Sequence, residues 1–434
     1  MTQVEPAYGR AGQLTETVTT DDAQYALSLV KAICKDVGPG LPGSYQERER
    51  AAILRKELKS HLDAGNVFVE DFTVAAGAFL GSLRICGLFI LIAAILNISA
   101  GRFTEITTWI SATIALTLST FSVLMVVFEF VFYREFVDTF FEKSQSENVV
   151  GTLRSPGTKN VKRLLIVSGH HDSALDNTWA GLPGYALYFT GVCIFIGLGT
   201  MLVMSIIQLV GVITGNASIV NIGTLGWVMF VFPIIPSIIF ALFFNRGRKN
   251  GGTVPGAADN LSGSALAVAM CRFLARNPSH IPTDTEIRFI SFGSEEAGLR
   301  GSRRYVERHI DELKHLDARL LNFEVVAYPE IAILTSDVNG TVKNSSEMVQ
   351  SVVAAARGAG VPFKVNPYPA FGGGSDAGSF SRAGLKASTL LPLKVPQQIM
   401  AFYHQKKDTP EVLTLEPLLN VLKLTFEWMS AGGE

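Results

Sequence analysis

Four stretches of the chain run for a membrane's thickness with almost no charged side chain: residues 79–100, 106–133, 183–214 and 222–244. Each offers about 20 or more mostly apolar positions, enough to cross a hydrocarbon core of about 30 Å. One such stretch fits a buried core helix, whereas four of them predict membrane spans. Arg84 and Glu129 fall near span ends, where long side chains are expected to reach the interface. Pro233 and Pro236 predict a kink in the fourth span, which neighbouring helices can accommodate. Short tips at 101–105 and 215–221 pair the spans into two hairpins, 79–133 and 183–244.

The remaining chain alternates between two other periods. Residues 1–20 are polar without periodic apolar positions and predict a loose tail. Thr20, Asp21 and Asp22 read as a cap before a helix carrying Ala26, Leu27, Leu29, Val30 and Ile33. Residues 38–43 predict a turn, 47–62 an amphipathic helix and 67–74 a strand. Further strands are expected at 149–153, 163–168, 286–292, 318–326 and around 391–393. Helices are expected at 261–275, 303–313, 348–358 and 415–429. This alternation predicts an α/β fold, a mainly parallel mixed sheet flanked by helices, with the two hairpins inserted into it. The soluble part is then discontinuous: 21–78, 134–182 and 245–434.

Composition sharpens the membrane reading. Of 434 residues, 48% are hydrophobic and 17% charged, where about 25% charged is usual for soluble domains. The formal net charge is -1, and the longest basic cluster is Arg246, Arg248 and Lys249, so no nucleic-acid partner is expected. Cations near span ends gather on the domain side, at Arg84, Arg134, Arg246, Arg248 and Lys249, against Arg102 at a tip. That bias places the soluble domain in the cytoplasm. The polar segment ahead of the first span lacks the pattern of a signal peptide and agrees with this. Asn216-Ala217-Ser218 is a glycosylation triplet of a kind common by chance. The four cysteines, Cys34, Cys86, Cys193 and Cys271, form no CxxC pair, so any zinc must be held by His and carboxylates.

Candidate chemistry sits where predicted strands end, the usual site in open α/β sheets. In Gly169-His170-His171-Asp172-Ser173, His170 and Asp172 share a face if the segment is extended. His170 can then bind a metal while Asp172 accepts its other ring N–H. Asp259, before Asn260 at a helix start, can bridge two cations with its two oxygens. The adjacent Glu295 and Glu296 repel each other unless something positive lies nearby. One can bind metal while the other serves as general base on a metal-bound water. Glu324 ends another strand, and His404 follows Tyr403 ahead of Asp408. Each element alone also fits an ordinary turn or cap. Together they supply two His and three carboxylate ligands plus a spare base, which suits two zinc ions sharing one carboxylate.

In this order the motifs resemble the M28 zinc metallopeptidases of the aminopeptidase type. The family pattern runs H-x-D-S, D-N-x-S/A-G, E-E-x-G-L-x-G-S, an acid after Asn, S-D near a Gly run, and Y-H. This sequence has His170 to Ser173, Asp259 to Gly263, Glu295 to Ser302, Asn322-Phe323-Glu324, Gly374-Ser375-Asp376 and Tyr403-His404. The resemblance implies a zinc-aminopeptidase-like fold and two zinc ions per chain. One would be held by His170, Asp259 and Glu324, the other by Asp259, Glu296 and His404. It also implies Glu295 as general base, Asp172 orienting His170, and Tyr403 polarising the substrate carbonyl. Two positions depart from the pattern: Glu324 where Asp is common, and Ala377 where His often follows S-D.

The expected activity is that of a membrane-embedded exopeptidase acting on peptides, including apolar or membrane-proximal ones. The second hairpin separates His170 from Asp259, which puts the site near the bilayer surface. Two other readings compete: a single-zinc enzyme like glutaminyl cyclase, and a non-catalytic scaffold on a peptidase fold.

Overall fold

The computed structural model describes residues 17–434 apart from 101, 103, 177–183, 222–251 and 369–371. Helix α1 (Thr20–Asp36) opens on a capping box in which Thr19 and Asp22 exchange hydrogen bonds, one residue ahead of the expected cap. Helix α2 (Tyr45–Lys59) is capped by the Ser44 hydroxyl, which accepts from Glu47 N–H. Strand β1 (Val67–Val74) then leads into the first apolar helix, α3 (Ala78–Ser99). Helix α4 (Glu105–Met125) returns and widens into a π-turn at Val126–Val131. Strand β2 (Ser144–Arg154) pairs antiparallel with β1, and Ser144 stands directly opposite Val74. The first hairpin is thus inserted between two neighbouring strands without disturbing their register.

Strand β3 (Arg163–His170) is followed by the long apolar helix α5 (Gly184–Ile213). The feet of this second insertion are stitched by an isolated antiparallel bridge, Leu175 to Thr253. Asp176 N–H donates to Gly252 C=O and Val254 N–H to Ala174 C=O across the same gap. The chain continues through α6 (Ser262–Arg276), β4 (Thr285–Phe292), α7 (Arg300–His315), β5 (Arg319–Phe323) and β6 (Ile331–Leu334). It ends with α8 (Ser346–Gly358), β7 (Phe363–Asn366), α9 (Asp376–Arg382), β8 (Lys386–Leu391) and α10 (Leu415–Ser430).

Among the described residues one sheet holds eight strands in the order β1-β2-β4-β3-β5-β8-β6-β7. Strands β4, β3, β5 and β8 run parallel, while β1, β2 and β6 join antiparallel. This is the mixed, largely parallel α/β sheet expected from the alternation of periods. Every residue of β4 and β5 is buried, as strands covered on both faces require. Two short strands went unread in the sequence, β6 and β7, along with helix α9; each spans only a turn or two of pattern.

Among the described residues, three helices are long and apolar enough to cross a membrane: Ala78–Ser99, Glu105–Val131 and Val192–Ile213. The expected fourth span, 222–244, lies outside the described residues. The three pack as one bundle joined by polar side chains. Asn97 Nδ2 donates to Ser205 Oγ at 2.9 Å, Ser119 and Ser205 hydroxyls meet at 3.2 Å, and Gln208 donates to Asn97 C=O at 2.8 Å. Such contacts join helices where burying apolar surface gives no drive to associate. Leu88, Ile95, Ile110, Ile114, Val203 and Val210 point outward and exposed, as a lipid-facing surface would.

Glu129 corrects one expectation. It does not reach an interface but is fully buried, accepting from Phe136 and Val137 N–H at 2.6 and 2.7 Å. The widened turn brings it inward, where Arg300 donates to it at 3.2 Å and to Asp138 at 3.0 Å. Arg304 pairs with Glu135 at 2.7 Å beside them. The return leg of the first hairpin is therefore fastened to α7 by buried charge. Removing one partner of a buried pair costs about 3–5 kcal/mol, because the other is left without compensation. Arg300→Met is expected to lower the thermal unfolding midpoint of the detergent-solubilised protein markedly, whereas Arg303→Met at the exposed rim should leave it nearly unchanged. Equal midpoints for the two variants would contradict this.

Candidate metal centre

The parallel strands deliver their carboxyl ends to one edge of the sheet. There β3 ends in His170, β4 leads into Glu295 and Glu296, and β5 into Glu324. Asp259 arrives from the segment entering α6, through a cis peptide to Asn260, and His404 from the loop after β8. Strand β3 and α6 touch backbone to backbone: a Cβ on Gly169 would lie 2.5 Å from Gly263 C. Only glycine permits that approach, and it brings Asp259 over the end of β3.

Buried polar side chains anchor the segments that carry His170, Asp259 and the Glu295–Glu296 pair. Asp172 accepts Glu295 N–H at 3.0 Å and Glu296 N–H at 2.9 Å, one on each oxygen. Asp408 does the same for Ala258 and Asp259 N–H, at 2.7 and 3.1 Å. From α2, Glu47 accepts both the N–H and the hydroxyl of Ser294. Arg50, also from α2, donates to His171 C=O at 3.0 Å and to Pro255 C=O at 2.6 Å. Arg50 thus ties together the two loops that the second apolar insertion separates in sequence.

The donors converge in two triads that share Asp259. His170 Nε2 lies 3.3 Å from Asp259 Oδ1 and 3.5 Å from Glu324 Oε1. His404 Nε2 lies 2.9 Å from Asp259 Oδ2 and 3.2 Å from Glu296 Oε1. Glu295 Oε2 stands 3.7 Å from His170 Nε2. A tetrahedral zinc with ligands at about 2.1 Å holds neighbouring donor atoms about 3.4 Å apart. The His-to-carboxylate distances are 3.3 and 3.5 Å in the His170 triad, close to that figure, and 2.9 and 3.2 Å in the His404 triad, somewhat shorter. His170 Nε2, Asp259 Oδ2 and Glu296 Oε1 are moreover buried without hydrogen-bonding partners. Lone pairs gathered so closely, yet not hydrogen-bonded, fit a shared cation. The residues present suit zinc, which takes His nitrogen and carboxylate oxygen.

Electrostatics agree. Burial alone would push both imidazoles down, but the surrounding carboxylates win: Glu295 first for His170 and Glu296 first for His404 hold each well above the ordinary range. Burial pushes Glu295 well up and Glu324 up to about 8. Burial would also raise Asp259, but His170 and His404 on either side hold it below the usual carboxylate range. This is a cluster in which like charges compete for too few cations.

The sequence of Peptidase family M28 matches residues 246–429. That match takes in less than half of the chain. It is 32% identical to Aminopeptidase YwaD of Bacillus subtilis strain 168 over 167 residues, 38% of this chain and 35% of that protein. The chain spans about a third of the length of the curated relatives it matches first. Among solved structures it resembles BSAP, a zinc aminopeptidase from Bacillus subtilis, with a TM-score of 0.50 at 16% identity, covering 93% of each chain. It equally resembles a glutaminyl cyclase from an Acidobacteriales bacterium, with a TM-score of 0.53 at 12% identity, covering 97% and 98%. These likenesses establish the fold.

Among the described residues, the ligands expected from the sequence, His170, Asp259, Glu296, Glu324 and His404, meet in one cluster, with Asp172 and Glu295 beside them. Glu324, one methylene longer than Asp, presents Oε1 to His170, and Asn322 Nδ2 donates to its other oxygen at 3.3 Å. Tyr403 stacks on His404 with ring centroids 4.0 Å apart. His171, by contrast, turns away and meets the Ser291 hydroxyl at 2.9 Å, as strand alternation predicts. Glu47, Arg50 and the anchoring role of Asp408 were not read from the sequence, although Glu47 and Arg50 stand on the same buried face of α2 as Ala51, Leu54 and Leu58. A charge at a core position of an amphipathic helix was the available signal. Tyr133, from the end of the first hairpin, was also missed; its ring lies against Gly374 and Leu299.

Because both imidazoles and Glu324 hold protons near neutrality, zinc must displace them on binding. Proton uptake strengthens as pH falls, so zinc affinity should drop steadily from pH 8 to pH 6. Calorimetry in two buffers of different ionisation enthalpy should register net proton release. An affinity flat across that window, with no buffer dependence, would count against the cluster as a zinc site.

Proposed function

We propose that this protein is a membrane-embedded zinc aminopeptidase with two zinc ions per chain. The observation that carries the reading is the pair of donor triads sharing Asp259, with Glu295 left over beside them. Similarity to an aminopeptidase over 167 residues and the family M28 match at 246–429 support the reaction class. His170, Asp259 and Glu324 would hold one ion, and Asp259, Glu296 and His404 the other. Zinc bound there supplies a Lewis acid for the scissile carbonyl and an acidified water.

The protein's own residues do the rest. Glu295 takes the proton of the attacking water and delivers it to the leaving amine. Asp172 fixes where Glu295 stands, since it holds the backbone N–H of both Glu295 and Glu296. Its Oδ1 also lies 3.3 Å from His170 Nδ1, which sets the ring so that Nε2 faces the centre. Burial, reinforced by Asp259, keeps the Tyr403 phenol protonated, so it remains a hydrogen-bond donor for a polarised carbonyl oxygen. The bias of Arg84, Arg134, Arg246, Arg248 and Lys249 supports a cytoplasmic catalytic domain, with peptides as substrates.

Glu295→Gln keeps the shape of the loop and removes the base. It should lower kcat on aminoacyl anilides by about 10²–10⁴-fold while zinc content, measured by atomic absorption, stays at two per chain. His404→Ala should lose one ion. One zinc in the wild type, with cyclisation of N-terminal glutamine and no hydrolysis, would replace this reading by a glutaminyl-cyclase-like one.

A further inference from the structure

The return leg of the first insertion keeps its apolar surface past the end of its apolar run. Helix α4 and the π-turn after it form one apolar segment, Glu105–Val131. Directly beyond it Phe132, Phe136 and Phe140 are exposed, Phe140 by 79%. The ring of Phe128, inside the segment, stands 6.3 Å from that of Phe132 and 5.2 Å from that of Phe136, centroid to centroid. Aromatic rings thus carry the outward face of the helix over its end. Phenyl rings left in water at such a place gain by entering the boundary between headgroups and acyl chains.

Two guanidinium groups belong to the same turn. Arg134 N–H donates to Phe128 C=O at 2.8 Å and Phe136 N–H to Arg134 C=O at 2.8 Å, which fixes the backbone of Arg134 within the aromatic turn. Arg382, the last residue of α9, donates from Nη2 to Phe132 C=O at 2.6 Å, and this brings it in beside Arg134. Both arginines are exposed. Among the described residues neither forms an ion pair with a carboxylate, whereas the nearby Arg303 and Arg304 are each paired with Glu135 and Glu307. Partial burial first, and then the positive charge of Arg134 and Arg303, holds Arg382 below its ordinary range. Like charges gathered in this way are relieved by an anion.

We propose that Arg134 and Arg382 form a site for the phosphate of an anionic phospholipid, with Phe132, Phe136 and Phe140 set where its acyl chains begin. A guanidinium presents paired N–H donors that match phosphate oxygens, and the rings put the pair at headgroup depth. A zwitterionic lipid brings the same phosphate with a cation attached, which two neighbouring guanidinium groups disfavour; a net negative headgroup is drawn to them. A phosphate held by both would clasp α9 to the exit of the first insertion, where Tyr133 lies against Gly374. The inference rests on the reading that the apolar helices cross a membrane and is independent of the zinc chemistry.

The test begins with membranes carrying the full-length protein, washed in alkaline carbonate. Retention in the pellet upholds the membrane reading, and release into the supernatant overturns it and the lipid site with it. The detergent-solubilised protein is then titrated calorimetrically with dioctanoyl phosphatidylglycerol, dioctanoyl phosphatidylcholine and inorganic phosphate. Phosphatidylglycerol should bind about tenfold or more tightly than phosphatidylcholine, and inorganic phosphate should not displace it. Arg134→Gln and Arg382→Gln should each weaken phosphatidylglycerol binding by about fivefold. Arg102→Gln, the same loss of charge at the opposite end of that hairpin, should leave it unchanged. Arg134→Gln carries the test if Arg382→Gln, which also gives up the bond to Phe132, does not fold. Equal binding of the two lipids by a protein retained in the pellet would overturn the site alone. So would phosphatidylglycerol binding that survives Arg134→Gln, or displacement by inorganic phosphate, which would make this a site for free phosphate instead.

Discussion

Asp259, Glu295, Glu296 and Glu324 are drawn together between His170 and His404 at a place that water barely reaches. Taking a single carboxylate out of water costs several kcal/mol even after relaxation, and carboxylates this close also repel one another. Asp172 and Asp408 bring no positive charge to relieve it; they accept backbone N–H groups. With neutral imidazoles the four central carboxylates carry four negative charges, which two divalent cations balance. A fold that maintains such a cluster is organised around positive charge that its own side chains do not supply. The proton affinity of the imidazoles and of Glu324 is the same imbalance seen from the other side.

That imbalance explains why so much of the surrounding structure is polar yet rigid. A cluster that repels itself would push its loops apart unless each were fixed independently. Glu47 clamps Ser294, Asp172 clamps the two residues after it, Asp408 clamps the approach to Asp259, and Arg50 joins the loops after β3 and before α6. These hydrogen bonds are made out of water, where each is electrostatically stronger than in solvent. Helix α2 supplies two of the four anchors and touches neither triad. Its value to the site is positional, which is why a change at Glu47 or Arg50 would be felt at atoms neither one contacts.

The parts of this arrangement that could be read from the sequence are those with a local signature. Long buried strands announce themselves as apolar runs, and His170, Glu295, Glu296 and Glu324 stand where those runs stop. Asp259 and His404 were legible by residue type and order rather than by periodicity. What escaped depends on contacts across the chain. Glu47 and Arg50 look like surface residues until α2 is seen to turn that face inward. Glu129 looks like an interface residue until the π-turn carries it toward Arg300, far away in sequence. Strands β6 and β7 are four residues each, too short for a period to show, and are held in place by the neighbours they pair with.

The two apolar insertions enter where they disturb the least. One leaves from Val74 and returns at Ser144, its direct partner on the adjacent strand. The other leaves and returns across the bridge from Leu175 to Thr253. Because both close at their feet, the sheet and the donor loops need no adjustment to accept them. The insertions do change the surroundings of the donors, since Ala76, Leu80 and Leu175 stand at those feet and line a cleft beside Glu296. The Arg300 cluster then works against free movement of the first insertion. It fastens Glu129 and Asp138 to the start of α7, immediately after the loop that carries Glu295 and Glu296. A shift of that hairpin would have to break buried charge pairs or take the loop with it. The position of the first apolar insertion and the geometry at the donors are therefore mechanically linked through one short segment, residues 293–300.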